Sequence, residues 1–95
     1  MTTLYHRTAS FDCEELEDEL VIMELESQAV VTLNSTGQAV WDGLDGGATL
    51  DDLDAIFREA FPDTDSGILR RDIQGVLDTL VAAGLATADG NPDQR

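Results

Sequence analysis

The chain has 95 residues, 42% of them hydrophobic, which suits one small domain with a single core and leaves no material for a second domain or a deep catalytic cavity. It carries 20 Asp and Glu against 5 Arg, with no Lys, for a net charge of −15, so attachment to nucleic acid or an anionic membrane lacks the cations that neutralise phosphate. One Cys and one His exclude an intramolecular disulfide and a four-ligand zinc site, and no apolar run has the length of a membrane span or secretion signal; a cytoplasmic protein with no metal or cofactor is expected.

Residues 1–10 contain His6 and Arg7 but no acidic group, and are read as a flexible N-terminal segment. The composition changes at Phe11, after which eight carboxylates fall within residues 12–26. Phe11 to Leu16 predicts a first strand, with Glu17-Asp18-Glu19 as the turn. In Leu20 to Glu26, Val21, Met23 and Leu25 alternate with Glu24 and Glu26, the pattern of a half-buried second strand. Glu26-Ser27-Gln28 reverses the chain into Ala29-Val30-Val31-Thr32-Leu33, whose β-branched residues favour a third strand, completing an antiparallel meander.

The period changes at Asn34-Ser35-Thr36, three residue types that cap helices, and Ala39, Val40, Trp41 and Leu44 then recur at helical spacing. Asp45-Gly46-Gly47 ends this first helix, because glycine accepts the left-handed conformation found at helix ends. Thr49 caps a second helix with Asp51, Asp52 and Asp54 near its positive end and an apolar face of Leu50, Leu53, Ile56, Phe57, Ala60 and Phe61. Pro62 stops it. Asp63 to Ser66 supplies the loop and the next cap, with Ser66 as the capping residue, and the third helix carries Leu69, Ile73, Val76, Leu77, Leu80 and Val81 as far as Gly84. Leu85 to Ala88 either adds a short closing strand or simply packs down, and residues 89–95 read as a disordered tail.

No constellation of catalytic groups is present. There is no Gly-rich phosphate loop before a helix and no Lys for a Schiff base, and the lone His6 lies in the N-terminal segment. Glu14, Glu15, Glu17, Asp18 and Glu19 form a solvated charge run, and Cys13 is a strand residue. Asp63-Thr64-Asp65-Ser66-Gly67 begins like a calcium loop, but Asp72 stands near its close where Glu is needed, and the intervening Ile68-Leu69-Arg70-Arg71 is helical. Asp65-Ser66 also resembles the pantetheine-bearing Asp-Ser of acidic, all-helical acyl or peptidyl carrier proteins, although Gly67 replaces their bulky apolar residue and the strands before residue 34 are foreign to them.

The segment Leu33-Asn34-Ser35-Thr36-Gly37-Gln38-Ala39-Val40-Trp41-Asp42-Gly43-Leu44 resembles the "LN, small residues, Ile or Val-Trp, then Leu" segment of the PqqD-like family. Thr49-Leu50-Asp51-Asp52-Leu53 and Asp72-Ile73-Gln74-Gly75-Val76-Leu77-Asp78-Thr79-Leu80, ending in Gly84-Leu85, fit that family's second and third helices in order, so the likeness covers about residues 11 to 86 within a domain taken as 11–88. The resemblance implies an α+β, winged helix-turn-helix-like fold, a three-stranded antiparallel sheet followed by three helices. It implies a non-catalytic RiPP recognition element, which binds the leader of a ribosomally synthesised precursor peptide and delivers it to a pathway modifying enzyme or leader peptidase, as in lasso-peptide or PQQ-like biosynthesis.

The same resemblance places the leader as an added strand on the third strand, over Gln28, Ala29, Val30, Val31, Thr32 and Leu33, in a groove shared with Leu69, Arg70, Asp72, Ile73 and Val76 of the third helix. Strand addition has its own physical warrant: an edge strand offers unpaired N–H and C=O groups to any extended peptide, and side-chain pockets then select among guests. Each residue also has a plainer role. Leu69, Ile73 and Val76 suit a core as well as a groove, and Trp41, Leu77 and Leu80 suit the core better. Asp72 is placed to hold a cationic leader residue. Arg70 and Arg71 either pair with carboxylates along their own helix or hold an acidic leader side chain. A winged-helix DNA-binding regulator and a carrier protein modified at Ser66 are the alternatives.

Overall fold

Two three-stranded antiparallel sheets and three helices make up the computed structural model, which describes residues 3–89. The first sheet is the expected meander of β2 (Phe11–Glu15), β3 (Leu20–Glu24) and β4 (Val30–Leu33), with β3 central and Ile22 paired to both Cys13 and Val31. Leu16 lies in the first turn, where its N–H donates to Glu19 C=O at 2.8 Å.

The buried face of β3 is the reverse of the face its Val21-Met23-Leu25 alternation marks as apolar. Leu20, Ile22 and Glu24 point inward, whereas Val21 and Met23 are half-exposed and Leu25 is exposed. Burying Glu24 is tolerable because its Oε1 accepts the Ser27 N–H at 2.7 Å, closing the turn into β4. Gln28 sits in that turn with φ of 65°, and β4 starts at Val30, one residue later than expected.

Helix α1 (Ser35–Gly43) starts at Asn34, whose Oδ1 accepts the Gly37 N–H at 2.9 Å. After the left-handed Gly46 and Gly47 come β5 (Ala48–Thr49) and α2 (Leu50–Ala60). Thr49 and Asp52 form a reciprocal capping box: the Asp52 N–H donates to Thr49 Oγ1 at 3.0 Å and the Thr49 N–H to Asp52 Oδ2 at 3.1 Å. Only part of the predicted α2 stripe is buried. Leu53 and Phe57 enter the core, whereas Ile56, Ala60 and Phe61 face solvent.

Helix α3 (Ser66–Ala82) is capped by Asp65 rather than by Ser66. Asp65 Oδ1 accepts the Gly67 N–H at 2.7 Å, and Ser66 becomes the first helical residue. The helix ends in a Schellman motif: Gly84, at φ of 78°, donates to Val81 C=O and Leu85 to Leu80 C=O, while Leu80 and Leu85 both bury fully. The chain then enters β6 (Ala86–Asp89), the strand among the two readings open for this segment.

Leu4–Arg7, inside the segment expected to be flexible, form β1, the middle strand of a second sheet between β5 and β6, with Tyr5 opposite both Ala48 and Ala88. Tyr5 packs on the core, and Arg7 holds its guanidinium 4.9 Å from the Trp41 ring and 3.2 Å from an Asp45 oxygen. Of the tail expected at 89–95, Asp89 ends β6 and residues 90–95 lie outside the described residues. One apolar core joins the layers: Ile22 and Leu33 from the sheet, Val40, Trp41 and Leu44 from α1, Leu53 and Phe57 from α2, and Leu69, Ile73, Leu77 and Leu80 from α3. The three-stranded sheet, the helix-turn-helix of α2 and α3 and the added strands make this a winged-helix-like α+β fold, and the two sheets are incompatible with an all-helical carrier protein.

Candidate peptide-binding groove

Strand β4 lies at the margin of its sheet and, among the described residues, no strand pairs with its outer side. The Glu24 N–H donates to Ala29 C=O at 2.9 Å, which sets the phase of the ladder. In an antiparallel pair bonded and non-bonded positions alternate, so Ile22–Val31 and Leu20–Leu33 are the bonded pairs, and the backbone groups of Val30 and Thr32 face the free edge. Side chains obey the same period of two. Val31 and Leu33 pack toward the core; Val30, 59% exposed, and Thr32 point away from it.

Alongside this edge runs an open groove of about 620 Å³ between β4 and α3. Thr32, Leu33, Asn34, Thr36 and Gly37 line one wall, Arg71, Asp72, Gly75, Val76 and Thr79 the other, and Glu19 reaches its margin. The first wall is held tightly. A Cβ on Gly37 would stand 2.9 Å from Leu33 Cβ, so α1 presses onto β4 at a distance only glycine allows.

The structure divides the residues singled out in the sequence. Thr32, Leu33, Asp72 and Val76 meet at the groove. Val30 and Val31 belong to the same edge strand, Gln28 and Ala29 to the turn before it. Leu69 and Ile73, 5% and 0% exposed, belong to the core beneath. Arg70 does not line the groove; it spans to α2, with Nη2 at 2.9 Å from Asp51 Oδ1 and Nη1 at 3.5 Å from Asp54 Oδ2. This is neither of the roles expected of it. Its neighbour Arg71 lines the groove instead, as do Gly75 and Thr79. Positions 71, 72, 75, 76 and 79 share one helical face at spacings of three and four, a signal masked in the sequence by the stronger apolar stripe of Leu69, Ile73, Leu77 and Leu80.

The groove is suited to holding an extended chain. One wall offers backbone donors and acceptors in strand register, and the other offers small and aliphatic surface flanked by one cation and one anion, Arg71 and Asp72. Among the described residues no group of three or more His, Cys, Asp or Glu could hold a metal ion.

Comparison with known proteins agrees with this geometry. The family model described as "Coenzyme PQQ synthesis protein D (PqqD)" matches residues 19–86, which include β3, β4, all three helices and both groove walls. No curated protein matches the chain. The solved structure "TbiB1 in Complex with the TbiA(beta) Leader Peptide" is similar in fold, with a TM-score of 0.75 over 90% of this chain and 99% of that one, at 17% identity.

Proposed function

Because the chain belongs to the PqqD family, we propose that it is a non-catalytic recognition element that binds the leader of a ribosomally synthesised precursor peptide as an added strand on β4 and delivers it to a modifying enzyme or leader peptidase. The observation that carries this reading is the unpaired β4 edge opening onto the α3 groove, within the residues that the family model matches. A solved chain of the same fold was captured with a leader peptide.

Backbone pairing at Val30 and Thr32 supplies attraction that depends little on guest sequence, and the α3 wall supplies selection. Asp72 and Arg71 give that wall one charge of each sign, so a leader carrying a cationic residue opposite Asp72 is favoured. DNA binding fits the surface less well. Of the two adjacent cations on α3, Arg70 is already engaged by two carboxylates, and the whole chain carries −15. Among the described residues no helix is long and apolar enough to cross a membrane, and a cytoplasmic site of action accords with ribosomal synthesis of the substrate.

The test is titration of the isotope-labelled protein with a synthetic leader from a short reading frame encoded beside its gene, followed by NMR. Amide shifts concentrated at Val30, Thr32, Gly75 and Val76 are expected. Saturable binding that shifts resonances elsewhere and leaves these amides unmoved overturns the proposal.

A further inference from the structure

Resting on the strand-addition reading above, we infer that Gly75 sets the size of the leader side chain this groove accepts, and that the guest presents one large apolar residue there. A glycine inside a helix is destabilising relative to alanine, so its presence in the middle of α3 calls for a reason. Two other helical glycines have a packing reason. A Cβ at Gly37 would meet the Leu33 side chain at 2.9 Å, and one at Gly43 would meet Leu53 Cδ2 at 2.6 Å. At Gly75 nothing lies within 4 Å of where a Cβ would stand. The fold therefore does not require a glycine at this position; the open space there adjoins the β4–α3 groove on one flank and a shallower depression beside Leu50, Arg70 and Gln74 on the other, and only the first borders the free β4 edge.

The surroundings define what fits that space. Thr79 Oγ1 donates to Gly75 C=O at 3.0 Å, so its hydroxyl is occupied by the helix backbone and is not the group that would select a polar guest. Val76 continues the α3 wall, and Leu33 and Gly37 stand on the wall opposite. A strand paired to β4 projects alternate side chains toward α3, so a single guest position faces Gly75. A large apolar side chain there covers the bare helix backbone and Val76, with Arg71 and Asp72, both exposed, at its flank, whereas a small one covers less of that surface.

The experiment selects binders from a phage-displayed library of random linear peptides, in parallel on the unaltered protein and on Gly75→Leu, with circular dichroism confirming that both are folded. The unaltered protein is expected to enrich peptides sharing one large apolar residue, whose replacement by Ala in a synthetic copy weakens binding about tenfold or more. Gly75→Leu is expected to lose those peptides by a similar factor and to enrich others with Gly, Ala or Ser at that position. A Thr32→Pro variant, which removes a free-edge donor, separates the two levels of the proposal. If folded Gly75→Leu keeps the same peptides at the same affinity while Thr32→Pro loses them, the role of Gly75 is overturned and strand addition stands. If Thr32→Pro keeps them too, or if the library yields no binder, strand addition falls and the role of Gly75 with it.

Discussion

The Glu24 carboxylate accepts the Ser27 N–H at 2.7 Å and so clamps the turn that delivers the chain into β4. The Ser27 backbone N–H, then its hydroxyl, hold the Glu24 carboxyl below the usual carboxylate range, against an opposing effect of burial. A group held below its unfolded value stabilises the fold fully above the ordinary carboxylate range and loses that contribution as pH falls through its lowered value. Glu24→Gln should therefore lower the thermal midpoint at neutral pH, and the gap between it and the unaltered protein should close on acidification. The difference between the two curves is the informative quantity, because relief of the −15 self-repulsion affects both alike. A gap that stays constant down to strongly acidic pH would mean the clamp does not depend on charge.

The ladder phase at β4 makes two neighbouring proline substitutions behave differently. Thr32 directs its N–H to the free edge, so Thr32→Pro should leave the unfolding midpoint nearly unchanged while weakening leader binding. Val31→Pro instead removes the bond to Ile22 inside the sheet and strands its carbonyl, at a cost of about 1–3 kcal/mol. Urea unfolding and peptide titration of both variants check this; equal destabilisation by the two would mean the phase is wrong.

What could be read in the linear sequence was what is decided locally. Asn34 and Thr49 cap helices through bonds to residues three positions away, and Gly46, Gly47 and Gly84 adopt positive φ at the breaks where they were expected. The orientation of β3 was not legible in this way. Leu20 and Ile22 are as apolar as Val21 and Met23, so only Glu24 and Glu26 mark a polar face, and the buried position of Glu24 depends on a turn bond that composition does not reveal. Strand β1 was hidden because its partners lie far along the chain, at β5 and β6, and four residues carry too short a pattern. At the groove, the edge strand and Val76 stood out, while Leu69 and Ile73 show that an apolar helical stripe names the core before it names a binding wall.

The adjacent arginines on α3 offer a direct comparison. Arg70, half-exposed and paired across to the exposed Asp51 and the buried Asp54, is a link between helices; because Arg58 also holds Asp54 Oδ2, at 3.1 Å, Arg70→Ala leaves that carboxylate paired and should cost about 1 kcal/mol of stability while leaving leader affinity as it was. Arg71 lines the groove, so Arg71→Ala should change leader affinity, and the salt dependence of binding, while leaving the unfolding midpoint in place. Calorimetric titration at two ionic strengths separates the cases. A larger affinity loss for Arg70→Ala than for Arg71→Ala would place the guest on the other flank of α3.

Two glycine-to-alanine substitutions should move stability in opposite directions. At Gly37 the new methyl would stand 2.9 Å from both Cβ and Cδ2 of Leu33, a buried residue of β4 whose Cβ is fixed to the strand backbone and cannot swing aside. Overpacking of this kind costs about 1–3 kcal/mol, which outweighs the gain in helix propensity, and by displacing Leu33 it should weaken leader binding as well. At Gly75 the same methyl meets open space, so the propensity gain of about 1 kcal/mol should appear undiminished as a higher unfolding midpoint. Denaturant unfolding of both variants measures the contrast. A destabilised Gly75→Ala would show that α3 needs the glycine for its own backbone, and would leave the groove with no part in its presence.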